Sequence, residues 1–111
     1  MRKLGIIGGM SWVSTASYYD RINRDIRRKT SPMTSAPLLV DSLNFAELYH
    51  LLEQDEWDRA AEVLISSARG LETCGAEGLV IAANSMHRVY DRVADSVDIP
   101  VLHIADCVGR D

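Results

Sequence analysis

The groups in this chain best suited to holding an anion are glycines and small hydroxyl residues placed where apolar runs end. Lys3-Leu4-Gly5-Ile6-Ile7-Gly8-Gly9-Met10-Ser11-Trp12 passes from an apolar strand into a turn. There Gly8, Gly9 and Met10 offer backbone N–H groups without side-chain obstruction, and Ser11 adds a hydroxyl. Leu79-Val80-Ile81-Ala82-Ala83-Asn84-Ser85-Met86-His87 repeats the arrangement. The Asn84 amide supplies two donors and an acceptor, and Ser85 supplies a hydroxyl at a helix N-cap. Together the two segments suit the binding of a carboxylate or amino group at the carboxyl ends of parallel strands, where helix N-termini favour negative charge. Each half also has a plainer reading, a tight strand-to-helix turn for the first and simple helix capping for the second.

Other chemistries are excluded by spacing. Gly5-x-x-Gly8-Gly9 is not the G-x-G-x-x-G of a dinucleotide fold, and Asp41 lies beyond the offset of a ribose-binding acid, so no nicotinamide cofactor is expected. No lysine and hydroxyl follow the glycines as a P-loop requires. With His50, His87 and His103 scattered and no paired carboxylates at ligand spacing, no metal is expected either. His87, one turn beyond Asn84, and His103, at the end of the fourth apolar run, are read as supporting groups, as is Gly9. Cys74 and Cys107 form no C-x-x-C pair and read as reduced thiols. Cys74 is assigned to packing, and Cys107 lies beyond the end of its strand.

The elements that must position these residues follow from periodicity. Short apolar runs at Leu4 to Ile7, Leu38 to Val40, Leu79 to Ala82 and Val101 to Ile104 suit parallel strands covered on both faces. Between the first two, Ala16, Tyr19, Ile22 and Ile26 predict the inward stripe of a helix whose arginines point outward. Asn44 and Glu47 predict a capping box for a short helix to about Leu52. Asp55 begins a longer helix with Trp57, Ala60, Ala61, Leu64, Ala68 and Leu71 on one face, ended by Gly75. A third helical stretch is expected from Ser85, with Met86, Val89 and Val93 inward. The order βαβαβαβ predicts an α/β fold, a doubly wound four-stranded parallel sheet in one domain over residues 1–111. The tail from Ala105 to Asp111 reads as the first turn of an unfinished fourth helix, so the domain is expected to be truncated there, with an apolar sheet face left for a partner to cover. A net charge of −4, with Asp20 and Asp25 offsetting Arg21, Arg24, Arg27, Arg28 and Lys29, argues against nucleic acid. No run is long enough to span a membrane and the start is unlike a signal peptide, so a cytoplasmic location is expected.

Gly-Gly-Met-Ser-Trp at 8–12 with Ser14-Thr15-Ala16 and Tyr18-Tyr19, Asn44-Phe45-Ala46-Glu47, Gly75-Ala76-Glu77-Gly78, Asn84-Ser85-Met86-His87 and Ile99-Pro100-Val101-Leu102-His103-Ile104-Ala105-Asp106 together resemble the aspartate/glutamate racemase family. The resemblance implies a cofactor-independent isomerase of two pseudo-symmetric lobes, of which this chain resembles the N-terminal one. In that chemistry a thiolate removes the substrate Cα proton on one face and a thiol returns one on the other, while donors stabilise the enolate-like carboxylate. The resemblance places Met10, Ser11, Asn84 and Ser85 against the substrate, an amino acid or dicarboxylate such as aspartate or glutamate. It puts Ala83 where the family commonly has its first cysteine and Val13 where a glutamate is frequent. No catalytic residue is therefore expected in this chain alone. The expected partners are the missing C-terminal lobe and a second copy in a homodimer. Two alternatives stand beside the racemase: a one-base decarboxylase or isomerase relative, and a non-catalytic module that binds a small carboxylate or serves assembly.

Overall fold

The computed structural model describes residues 2–82 and 89–102. In chain order the elements are β1 (Leu4–Gly8), α1 (Trp12–Lys29), β2 (Leu38–Ser42), α2 (Phe45–Glu53), α3 (Trp57–Thr73), β3 (Gly78–Ile81), α4 (Tyr90–Asp95) and β4 (Val101–Leu102). The strands form one parallel sheet in the order β2-β1-β3-β4. The α/β class and the four-stranded parallel sheet thus stand as expected. Ile104, to which the last strand was to extend, and the expected helix start at Ser85 lie outside the described residues, as does the tail from 105 to 111.

The path from β1 to β2 runs one way across the sheet and the path from β2 to β3 runs back over β1. Right-handed crossovers therefore put α1 on one face and α2 with α3 on the other. Side-chain alternation agrees with this. Ile7, Leu79, Ile81 and Val101 join Ala60, Ala61, Leu64, Ala68 and Leu71 of α3 in one buried cluster. A Cβ on Gly5 would meet Leu79, Ala76 and Leu71 on this same side. On the opposite face, the register aligns Val40, Ile6, Val80 and Leu102 in a row whose two central members are buried and whose outer two are exposed.

Helix α3 carries the core because its small residues Ala60, Ala61, Ser67 and Ala68 let it lie close on the sheet. It ends in a Schellman motif: the Ala76 N–H reaches the Leu71 carbonyl and the Gly75 N–H the Glu72 carbonyl, both at 3.0 Å, with Gly75 at φ +105°. Nothing surrounds the position of a Cβ on Gly75, so Gly75→Ala is expected to cost only the backbone strain, about 1 kcal/mol in denaturant unfolding. Asp55, expected to start α3, lies outside it at φ +58° and accepts the Trp57 indole N–H at 2.8 Å. Asn44 caps α2 through the Ala46 N–H at 3.0 Å.

Two further expectations differ from the structure. In α1, Ala16 and Tyr19 are exposed, while Thr15 is buried and Ile22 and Ile26 are half-buried. The inward face is rotated because Thr15 fills the space above Gly8, as described below. Cys74, assigned to packing, is exposed at the C-cap of α3. The basic cluster of α1 is offset within the helix by Arg24–Asp20 and Arg28–Asp25 pairs, exposed and of small energetic weight.

Candidate functional site

In a sheet of this order the chain reverses direction between β1 and β3, and the crevice beyond their carboxyl ends is where such folds take ligands. The β1 side of that crevice is the turn Gly8–Ser11, and its form is set by contacts with Leu43 and Thr15.

Gly9 sits at φ +86°, and a Cβ there would lie 2.2 Å from the Leu43 carbonyl oxygen and 2.5 Å from the Leu43 nitrogen. Only glycine lets the turn lie against the β2–α2 connection, where the Leu43 N–H donates to the Gly8 carbonyl at 2.8 Å. Gly8 faces the other way, toward α1. A Cβ on it would meet Thr15 Cγ2 at 2.6 Å and Oγ1 at 2.7 Å. The Thr15 hydroxyl accepts the Gly9 N–H at 3.0 Å and donates to the Ser11 carbonyl at 3.1 Å.

These bonds revise the expected donor set. The Gly9 N–H is taken up by Thr15, so Gly9 shapes the turn rather than facing a ligand as a donor. Met10 is buried in the core cluster, so its side chain is committed to packing and not to a ligand. Among the described residues no hydrogen bond to the Met10 amide is found. Ser11 is the N-cap of α1, its oxygen accepting the Ser14 N–H at 3.3 Å. It is exposed, and its hydroxyl proton remains available to a neighbouring acceptor. Met10 and Ser11 thus stand at the positive end of an 18-residue helix.

Asn84, Ser85, His87 and His103, together with Ala83 and Cys107, lie outside the described residues. The structure therefore brings together Gly9, Met10 and Ser11 from the sequence-derived set. Thr15 was missed as a member of this turn. The signal for it was a buried-side hydroxyl one turn into a helix whose N-cap directly follows a glycine pair.

The acid of β2 has a packing role. Asp41 accepts the Ser67 hydroxyl of α3 at 2.6 Å, at the edge of an open groove of about 760 Å³ between β2 and α3. Removing that hydroxyl in Ser67→Ala leaves the carboxylate short of a partner, and a loss of about 1–2 kcal/mol is expected in urea unfolding. Among the described residues no group of three His, Cys, Asp or Glu side chains is placed to hold a metal. No helix among them is long and apolar enough to cross a membrane.

The family model for Asp/Glu/hydantoin racemases matches residues 7–111. A Yersinia pestis structure provisionally assigned as an Asp/Glu racemase is 40% identical, with a TM-score of 0.92 over 96% of this chain and 46% of its own. An aspartate racemase homologue from Pyrococcus horikoshii OT3 is 36% identical, with a TM-score of 0.83 over 97% of this chain and 47% of its own. The chain spans about half the length of these two solved structures.

Proposed function

The chain belongs to the Asp/Glu/hydantoin racemase family, and from that premise we propose that it is the N-terminal part of a cofactor-independent amino-acid racemase that holds the substrate carboxylate but lacks the thiol for its own face. The observation that carries this reading is the Gly8–Ser11 turn, which stands at the switch point of the sheet with the Met10 amide and the Ser11 hydroxyl at the N-terminus of α1. A carboxylate there meets donors and the positive end of the helix dipole. Asn84 and Ser85, which follow β3 in the sequence, are the side-chain donors we propose to act with them.

Racemisation needs the Cα proton removed from one face and another delivered to the opposite face. At the position where the family commonly carries the first thiol this chain has Ala83, whose methyl exchanges no proton. The second thiol would come from a C-terminal lobe. Trp12 and Val13 after β1, and Phe45 and Tyr49 after β2, are exposed apolar side chains near the carboxyl edge of the sheet and suit contact with such a lobe. Ala83 equally favours a binding module that retains donors without turnover.

The test is direct. Residues 1–111 are expected to bind aspartate or glutamate, to lose that binding by tenfold or more in Asn84→Ala, and to leave the ligand Cα–H unexchanged in D2O. Cα exchange or inversion by the purified chain would contradict the proposal, as would Asn84→Ala binding as tightly as the parent.

A further inference from the structure

We propose that Thr15 is the positioning residue of the carboxylate turn, a role that rests on the reading of that turn given above. One hydroxyl holds both ends of the turn: it accepts the Gly9 N–H at 3.0 Å and donates to the Ser11 carbonyl at 3.1 Å. The Thr15 side chain is buried, and its Cγ2 occupies the space a Cβ on Gly8 would need, so neither the rotamer nor the turn can shift alone. From the opposite side the Leu43 backbone closes on Gly9. The consequence is a division of labour among neighbouring amides. Gly9 is tied inward, and the peptides on either side of Met10 are held at a fixed pitch over the start of α1. Preorganised donors of this kind favour an anion because no reorganisation is required when it arrives.

Residue-resolved amide exchange on the 111-residue chain, with and without aspartate, reads this role. In the free chain the Gly9 amide is expected to exchange at least about tenfold more slowly than the Met10 amide, and aspartate is expected to add protection at Met10 and Ser11 but not at Gly9. Thr15→Val, which keeps shape and removes the hydroxyl, is expected to bind aspartate about tenfold more weakly while folded. Thr15→Ser, which restores the hydroxyl, is expected to bind within about threefold of the parent. A folded Thr15→Val of unchanged affinity overturns the role, as does a folded Thr15→Ser as weak as the valine variant is expected to be, or a Gly9 amide exchanging as fast as that of Met10. Should Thr15→Val fail to fold, the serine variant and the exchange rates of the parent decide. Absence of binding by the unchanged chain is a different failure: it removes the carboxylate reading and this role together, whereas equal binding by parent and Thr15→Val removes the role alone.

Discussion

Gly9→Ala is expected to lower stability by about 3–5 kcal/mol, a large share of what a domain of this size has in total. Two costs add. At φ +86° the new methyl strains the backbone, and 2.2 Å from the Leu43 carbonyl oxygen it collides with main chain that cannot rotate away. Moving Leu43 would in turn break its N–H bond to the Gly8 carbonyl. Gly75→Ala is the internal control, since it carries a similar φ of +105° but opens onto empty space. Urea unfolding of the two variants separates strain from collision: the difference between them is the collision. Equal losses would mean that the turn does not press on the β2–α2 connection as described.

The largest expected effect on activity is a gain. Joined to the remaining half of the Yersinia pestis relative, residues 1–111 are expected to racemise aspartate poorly, and Ala83→Cys in that chimera to raise the rate by about 10²–10⁴-fold. The gain follows from where the Cα proton goes. In the reading proposed above the C-terminal half supplies one thiol, and with a thiol on one face only a proton removed from Cα returns to the side it left. A second thiol lets the carbanion be quenched from the opposite face, and the pair then exchange roles in the next turnover. Chiral chromatography of the product, alongside deuterium content at Cα, measures both halves of the statement. A chimera retaining Ala83 that already racemises as fast as the Ala83→Cys variant would show that position 83 is not where the proton is handled.

The sheet was legible because parallel strands buried on both faces must be short apolar runs, and Leu4-Gly5-Ile6-Ile7 and Leu79-Val80-Ile81 are such runs. The face of α3 was legible for the same kind of reason: alanines and leucines recur at helical spacing with few competitors. Gly75 announced its cap because only glycine takes a left-handed conformation cheaply. In helix α1 the inward stripe was misread only in its first half, at Ala16 and Tyr19, while Ile22 and Ile26 face inward as expected. Its apolar residues are few, and the inward choice between Thr15 and Ala16 is settled by a hydroxyl needed at Gly9 and Ser11, a tertiary demand that hydropathy does not record. The same bond hid the fate of the Gly9 amide, since a glycine-rich turn advertises donors without saying which are tied up internally. Cys74 misled for a simpler reason. Thiols are usually buried, but this one follows the last turn of α3, where the chain leaves the core.

Whether the Gly8–Ser11 turn holds a carboxylate is read at its own donors by titrating the isotopically labelled chain with aspartate while following each backbone amide. Saturable shifts centred on Met10 and Ser11, with Gly9 little changed and the groove residues between β2 and α3 silent, are the predicted result. Shifts confined to that groove, or none anywhere at millimolar aspartate, would contradict the claim.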